Sequence, residues 1–209
     1  MKKGKLIVFE GIDYSGKGTQ IGFTKETFQK SIWTREPGGT PRAEEIRNFL
    51  LSDEGGKISD FERLGLFFKS REIHLVEKVI PTLKKGVDVI SDRFDASSFA
   101  YQIKTPELRK LFWDLRAEIV EGRVEPHYIF LDITPEESLN RRNLAKGRDL
   151  NHFDAAVYEE IKGRRDRYIE FFDILEKRNG ENVYRVDGGE NIHQLAFKIK
   201  TIIQNIIYS

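Results

Sequence analysis

The chain has 209 residues, enough for one complete α/β domain, and no Pro-, Gly- or Ser-rich linker or block of like charge divides it. Charged residues make up 33% of the sequence, yet 35 basic and 34 acidic side chains nearly cancel, which argues against a large nucleic-acid footprint. Because the chain has no cysteine, disulfides and thiolate chemistry are excluded.

No segment of the sequence resembles a membrane span or a secretory leader. Lys5 is followed by only four apolar residues before Glu10, and no apolar run approaches the roughly 18 residues that cross a bilayer. We therefore expect a single domain, residues 1–209, that works in the cytoplasm on a small-molecule substrate, with neither a membrane nor a nucleic acid as partner.

Short apolar runs alternate with longer amphipathic stretches, which is the pattern of a parallel sheet with right-handed crossover helices. The first run, Leu6–Phe9, is apolar without a break, as a strand covered on both faces requires. The predicted strands are 5–10, 31–35, 87–92, 127–133 and 183–187.

Helices are predicted between and after these strands. Thr40-Pro41 and Thr134-Pro135 each place an N-cap residue before a proline at the first helical position. The predicted helices are 17–30, 41–51, 61–85, 107–121, 135–145, 154–178 and 191–207.

A glycine-rich loop follows the first strand and carries the spacing G-x-x-x-x-G-K. Gly11 and Gly16 allow the backbone to wrap around an anion with its N–H groups inward, and the next helix adds the positive end of its dipole. Lys17 can reach the β- and γ-phosphates of a nucleoside triphosphate, although Gly18 stands where the motif has Ser or Thr for Mg²⁺. The alternative is a strand-to-helix turn that binds nothing. The predicted triphosphate-binding residues are Gly11, Ser15, Gly16, Lys17, Gly18 and Thr19.

Charged residues also come at or just after other predicted strands. Ligands of a parallel sheet bind beyond the carboxyl ends of its strands, so we expect Asp13, Arg35, Glu36, Asp92 and Arg93 to share one cleft. Asp92 ends an apolar strand, where a carboxylate is expected only if it meets a metal or a cation. The alternatives are that the arginines are surface solubilisers and that Asp13 caps a helix.

Three segments, 34–40, 91–94 and 97–102, read TREPGGT, SDRF and SSFAYQ. With the phosphate loop before them, the chain resembles the bacterial thymidylate kinases from Leu6 to about Tyr168. The resemblance implies the P-loop NTPase fold of that family, with a five-stranded parallel sheet flanked by helices, a short basic lid and usually a homodimer. It also implies ATP-dependent phosphorylation of thymidine monophosphate (dTMP) to the diphosphate, with Mg²⁺.

The resemblance assigns roles to the charged residues. Lys17 serves the donor, and the arginines that match Arg35 and Arg93 hold the acceptor phosphate, for which planar bidentate groups are suited. We assign Asp92 to the Mg²⁺ shell, through water, and to the orientation of Arg93. Asp13 is expected to hydrogen-bond the 3′-hydroxyl of the acceptor sugar.

The base is expected between a stacking ring and polar groups on its edge. By resemblance, Phe67 lies against the pyrimidine, Arg71 near its carbonyl edge and Ser98 within reach, while Tyr101 blocks a ribose 2′-hydroxyl and Gln102 supports it. From periodicity alone, Phe67 belongs to the core. The predicted acceptor-binding residues are Asp13, Arg35, Glu36, Phe67, Arg71, Arg93, Ser98, Tyr101 and Gln102.

Residues 140–154 pack cations around a glycine and have few apolar side chains, which suits a lid that closes over the triphosphate. The alternative is a solvated helix end. Tyr14 stands where some thymidylate kinases have a basic residue in the phosphate loop, so Arg142 and Arg148 are expected to stabilise the transferred charge, with Arg141 and Lys146 as substitutes. The predicted catalytic residues are Lys17, Arg35, Arg93, Arg142 and Arg148.

Two other functions remain open at this point. The first is a kinase for another deoxynucleoside monophosphate or a base-modified thymidylate, because pocket size decides among them. The second is a nucleotide-dependent switch, which needs no second nucleotide pocket. An apolar stripe through Leu64, Phe68, Leu75 and Val79 is a candidate for the subunit interface.

Overall fold

The computed structural model of the protein describes residues 2–145, 157–179 and 182–208. Its centre is a sheet of five parallel strands in the order β2-β3-β1-β4-β5. This confirms the predicted five-stranded parallel sheet, and each strand lies close to its predicted span. The strands are Leu6–Glu10 (β1), Ile32–Arg35 (β2), Val89–Asp92 (β3), Pro126–Asp132 (β4) and Val183–Asp187 (β5).

Helices cover both faces of the sheet, as the alternating pattern predicts. Two short ones, α3 and α6, lie outside every predicted helix, because α3 contains two glycines and α6 is a brief segment directly behind β3. The helices are Lys17–Thr27 (α1), Pro41–Leu51 (α2), Asp53–Lys57 (α3), Asp60–His74 (α4), Ile80–Lys84 (α5), Asp95–Gln102 (α6), Pro106–Ile119 (α7), Pro135–Leu144 (α8), Tyr158–Asn179 (α9) and Ile192–Tyr208 (α10).

Both predicted Thr-Pro starts are confirmed. The Thr40 hydroxyl accepts from the N–H of Ala43 at the start of α2, and the Thr134 hydroxyl accepts from the N–H of Glu137 in α8. These caps satisfy backbone donors that have no partner inside the helix, and they fix where each helix begins.

Between α4 and α5 the chain makes one π-helical turn, Leu75–Val79, in which the N–H of Ile80 donates to the carbonyl of Leu75 five residues earlier. Pro81 has no N–H to donate to Glu77, so the regular ladder is interrupted here. The predicted continuous helix 61–85 therefore contains a change of phase, and such turns are frequent at functional sites.

Alternate residues of β1 enter the two halves of the core. Leu6 and Val8 pack with the cluster beneath α4, α6, α7 and α9, and Ile7 and Phe9 pack with the cluster beneath α1 and α10. Every residue of β1 is buried, as its unbroken apolar sequence predicts. Among the described residues, no helix combines the length and the apolar character needed to cross a membrane.

The apolar stripe is not a subunit interface. Leu64, Phe68, Leu75 and Val79 are each at most 1% exposed and belong to the core of one chain. The stripe arises because the buried face of α4 and of the π-helical turn packs inward, so its side chains have no free surface for a second subunit.

The register sets the ends of three strands level with one another. Asp92, the last residue of β3, pairs with Phe9 on β1 and with Arg35 on β2. On β1, Phe9 is followed by Glu10, the last residue of the strand, and the glycine-rich loop begins there. This edge of the sheet is therefore where the functional side chains gather.

Candidate active site

The loop between β1 and α1 has the backbone of an anion cradle. Gly16 caps α1 in the left-handed region, at φ 92°, and no side chain caps the helix, so its first N–H groups point into open space. A Cβ on Gly11 would come within 2.6 Å of the carbonyl of Leu131, which leaves glycine as the only residue that fits. The alternative that Asp13 caps a helix is wrong, because Gly16 is the N-cap residue of α1.

The cradle opens into a cleft of about 650 Å³. Five of the six predicted triphosphate-binding residues line it, and the sixth, Gly11, supplies the turn behind them. Asp92 and Arg93 from the end of β3 form one wall, and Gly188 and Glu190 after β5 lie at another. The loop residues that line the cleft are Ser15, Gly16, Lys17, Gly18 and Thr19.

Lys17 lies folded against its own loop. Its Nζ donates to the carbonyls of Gly11 at 2.7 Å and Ile12 at 3.0 Å. Burial, followed by the nearby charge of Arg93, lowers the pKa of Lys17 to about 8. A bound polyphosphate would add negative charge beside this buried ammonium and raise its pKa.

Asp92 faces the same cleft with an unused oxygen. Its Oδ1 is buried and has no hydrogen-bond partner among the described residues. A buried, unpaired carboxylate oxygen is costly unless a cation or a water meets it. The described part of the chain contains no cluster of three or more acidic or histidine side chains that could hold a metal alone.

A second cavity of about 140 Å³ lies beyond Arg93. It brings together all but one of the side chains predicted to bind the acceptor, together with Pro37, Leu51 and Phe94. Phe67 lines this cavity and is only half-buried, while its neighbour Phe68 points into the core. The predicted acceptor-binding residues along its wall are Asp13, Glu36, Phe67, Arg71, Arg93, Ser98, Tyr101 and Gln102.

Arg71 is held on nearly every side. Its guanidinium carbon lies 4.6 Å from the ring centre of Phe68 and 5.0 Å from that of Phe94. Nε donates to Glu36 Oε2 at 2.8 Å, and Nη2 donates to Ser98 Oγ at 2.9 Å. Nη1 is buried and has no hydrogen-bond partner among the described residues.

The wall of the second cavity contains another unused polar atom, Gln102 Oε1. It is buried and has no hydrogen-bond partner in the part of the chain that the structure describes. The residues that line this cavity with Phe67 thus include one unpaired donor, on Arg71, and one unpaired acceptor, on Gln102.

The two cavities meet at three shared residues, Asp13, Arg47 and Arg93. Arg93 Nη2 donates to Asp13 Oδ1 at 2.6 Å, and the Tyr101 hydroxyl donates to Asp13 Oδ2 at 2.8 Å. Burial opposes ionisation of Asp13, but the charges of Arg93 and Lys17 outweigh it and lower the pKa of Asp13. The junction therefore contains an ionised carboxylate held by cations.

A buried carboxylate, that of Glu10, holds two hydroxyl groups that also contact Arg93. Glu10, at 0% exposure, accepts from the N–H of Phe94 at 2.7 Å, from Ser97 Oγ at 2.6 Å and from the Tyr168 hydroxyl at 3.1 Å. Arg93 Nη1 donates to the same two hydroxyl groups, at 3.0 and 3.2 Å. Burial raises the pKa of Glu10 even though Arg93 is near.

Arg35 does not reach the junction. Its side chain is 54% exposed, pairs with Glu44 at 3.0 Å and lines neither cavity. Arg47 lies one turn after Glu44 on α2 and lines both cavities. Its guanidinium donates to the carbonyl of Pro37 at 2.9 Å. Sequence reasoning missed Arg47, although its place on the helix that follows the TREPGGT segment was a signal.

The lid predictions have different outcomes. Arg148 lies outside the described residues, as does most of the segment 140–154, and Arg142 on α8 lines neither cavity. Arg141 does line the large cleft, and its Nη2 donates to the carbonyl of Gly188 at 2.9 Å. On α8, therefore, Arg141, which was predicted only as a substitute, lines the cleft, and Arg142 does not.

Three more side chains at the site were missed. Arg164 on α9 pairs with Asp13 Oδ2 at 3.5 Å, and its guanidinium lies 4.6 Å from the ring centre of Tyr101. His74 Nδ1 lies 2.9 Å from Glu36 Oε1, and Thr34 Oγ1 lies 2.7 Å from His74 Nε2. Tyr168, which contacts Arg93 and Glu10, was missed as well. The order DRY at 166–168 was the available signal for Tyr168, and the histidine three residues after Arg71 was the signal for His74.

Comparison with known proteins shows which family the chain belongs to. The sequence profile described as thymidylate kinase matches residues 9–199. The thymidylate kinase of Hahella chejuensis is 39% identical over 149 residues, which cover 68% of this chain and 70% of that protein. Those of Marinomonas sp. and Prochlorococcus marinus are each 34% identical, over 95% and 97% of this chain and 93% and 99% of their own length. The chain therefore belongs to the thymidylate kinase family.

Proposed function

We propose that the protein transfers the γ-phosphoryl group of ATP to dTMP, giving dTDP, by direct in-line displacement. The observation that carries the proposal is the pair of cavities that meet at Asp13, Arg47 and Arg93. Phosphoryl transfer needs two phosphates positioned end to end and cations that neutralise the charge between them. A nucleotide-dependent switch would need only the first cavity.

The donor occupies the large cleft. The N–H groups at the start of α1 bind the β- and γ-phosphates, and Lys17 leaves its loop carbonyls to pair with them. Arg141 lines the same cleft and is bonded to the carbonyls of Tyr14 and Gly188, so it can hold the β5–α10 loop near the donor. Arg142 and Arg148 remain part of the proposal as cations of the closing lid.

The acceptor base occupies the small cavity, against the ring of Phe67. Arg71 Nη1 offers a proton and Gln102 Oε1 offers a lone pair. A thymine edge provides a carbonyl and an N–H beside it, which match a donor and an acceptor. Cytosine has an amino group and a bare ring nitrogen at those places, so it would set donor against donor and acceptor against acceptor.

The acceptor phosphate lies at the junction. Arg93, fixed by Asp13, Ser97 and Tyr168, presents a planar guanidinium to it, and Arg47 approaches from α2. Both cations lie where negative charge spreads over the transferred group, which is the position that accelerates such reactions. Arg35 joins them by turning from Glu44.

Mg²⁺ fits the unused carboxylate oxygen of Asp92. Mg²⁺ commonly binds through one or two carboxylates, several waters and the phosphates of its nucleotide, so a full protein cage is not required. Thr19, exposed at the cleft, is the nearby hydroxyl in place of the residue replaced by Gly18. When bound, the ion would neutralise charge on the β- and γ-phosphates.

The proposal includes a homodimer, on the ground of the family resemblance. The interface must lie elsewhere than the buried stripe of α4. Light scattering of the purified protein tests this part separately, with a mass near twice the 24.3 kDa of one chain as the expected result.

A coupled assay with dTMP, dUMP, dCMP, dAMP and dGMP, each with ATP or GTP, tests the central claim. We expect dTMP with ATP to give the highest kcat/KM, and dCMP to be the poorest pyrimidine. Saturable nucleotide binding at one site only, with no monophosphate converted, would refute the two-cavity assignment. A preference for a 5-modified pyrimidine would keep the reaction and correct the substrate.

A further inference from the structure

A chain of hydrogen bonds runs from β2 to the acceptor cavity. Thr34 Oγ1 lies 2.7 Å from His74 Nε2, and His74 Nδ1 lies 2.9 Å from Glu36 Oε1. The second oxygen of Glu36 accepts from Arg71 Nε at 2.8 Å. His74 is the member of this chain with no place in the proposed reaction so far.

The direction of these bonds follows from what each group can offer. An ionised Glu36 can only accept, so Nδ1 of His74 carries the proton that lies between them. A neutral imidazole then accepts the Thr34 hydroxyl proton at Nε2. His74 therefore fixes one oxygen of Glu36, and Arg71 uses the other.

The surroundings allow His74 no other position. Its side chain is 1% exposed, as is that of Arg71, and that of Glu36 is 2% exposed. A Cβ on Gly39 would come within 2.7 Å of the imidazole Nε2, so the backbone of the turn before α2 lies directly against the ring. His74 is also the last residue of α4, directly before the π-helical turn.

We propose that His74 is a positioning residue for base recognition, acting through Glu36 to hold the guanidinium of Arg71 in place. With His74 Nδ1 removed, Glu36 keeps only one fixed oxygen and can rotate about its last torsion. Arg71 then loses one of the contacts that hold its guanidinium at the cavity wall. The inference rests on the proposed function, because it assumes that the acceptor base meets Arg71.

Two substitutions of His74 test the hydrogen bonds of its two ring nitrogen atoms one at a time. In His74→Asn the amide nitrogen lies near the place of Nδ1, so the bond to Glu36 is kept and that to Thr34 is lost. In His74→Gln the longer side chain reaches the place of Nε2 and loses Glu36. Both replace a buried ring by an amide, so a structural role alone would affect the two variants alike.

The measurements are KM for dTMP, KM for ATP, kcat, the preference for dTMP over dCMP, and Tm. We expect His74→Gln to raise KM for dTMP about tenfold, the factor for losing one hydrogen bond to a charged group, and to weaken the preference against dCMP. His74→Asn should keep KM for dTMP within about threefold of the wild type. KM for ATP should stay unchanged in both.

Arg71→Ala is measured in parallel. Equal shifts in KM for dTMP with His74→Asn and His74→Gln, or a rise in KM for ATP of the same size, would overturn the role of His74. If Arg71→Ala raises KM for dTMP and His74→Gln does not, the inference about His74 falls alone. If Arg71→Ala leaves KM for dTMP unchanged, the acceptor site is misplaced and the proposed function falls with it.

Discussion

Phe67 and Phe68 are adjacent aromatic residues with opposite predicted roles, so they form a matched pair. Phe67 is half-buried and lines the acceptor cavity. Phe68 is 1% exposed, and its ring packs against that of Phe112 at 5.4 Å. Substituting each by alanine removes the same atoms from two different environments.

For Phe67→Ala the loss falls on substrate binding. Stacking of a base on an aromatic ring contributes about 1–3 kcal/mol, so KM for dTMP should rise about 5- to 150-fold. Because no buried cavity is created, stability should change by less than about 1 kcal/mol, which corresponds to less than about 4 °C in Tm for a chain of this length.

For Phe68→Ala the loss falls on the core. A buried Phe→Ala change costs about 3–5 kcal/mol, which corresponds to about 6–20 °C in Tm. KM for dTMP can rise as well, since Phe68 also supports Arg71, so Tm is the measurement that separates the two variants. Steady-state kinetics with each substrate varied in turn, with thermal unfolding of the same samples, gives both quantities. A large fall in Tm for Phe67→Ala, with equal rises in KM for dTMP and ATP, would refute our placement of the base.

Three further outcomes follow from the charges at the junction. Arg47→Ala should lower kcat/KM for dTMP by about a hundredfold and by more than Arg35→Ala does, because Arg47 lines both cavities; steady-state assays of the two variants decide, and a larger loss for Arg35→Ala would reverse their roles. The lowered pKa of Lys17, about 8, makes the free enzyme lose this cation as pH rises, so kcat/KM for ATP should fall about tenfold per pH unit above that value; a profile that stays flat to about pH 9.5 contradicts it. Asp92→Asn should raise the Mg²⁺ concentration for half-maximal activity at least about tenfold with Tm nearly unchanged, and an unaltered Mg²⁺ titration would remove Asp92 from the metal.

The first two of these outcomes each have a control. Arg165, which pairs with Asp132 at 2.7 Å, is a matched arginine for the Arg47 series. For the pH profile, kcat at saturating ATP is the internal control, because the bound triphosphate raises the pKa of Lys17 and should move the decline to higher pH.

The sheet and the phosphate loop were predictable because their signals are local. An unbroken apolar run before a glycine spacing fixes β1 and its loop within about fifteen residues, and short apolar runs at regular intervals give the other strands. Arg71, Ser98, Tyr101 and Gln102 were reached through the family resemblance, and the structure brings them to one cavity.

The residues that were missed act across long separations. Arg164 meets Asp13 over 151 positions, and Tyr168 meets Glu10 over 158. No periodicity links residues so far apart, and each of these side chains looks like an ordinary member of an amphipathic helix. Phe67 shows the same limit within one helix, since helical spacing does not tell a cavity wall from the core.

The place of β1 in the sheet has a consequence for biosynthesis. β1 is the first strand to leave the ribosome, yet its two neighbours in the sheet are β3 and β4. Leu6 therefore has no pairing partner until Val89 has been made on one side and Pro126 on the other. A nascent chain therefore carries its glycine loop on a strand with two open edges until β3 has been made, and with one open edge until β4 has been made. Because the turn at Gly11 lies directly against the carbonyl of Leu131, the cradle has its complete surroundings only once β4 has been made.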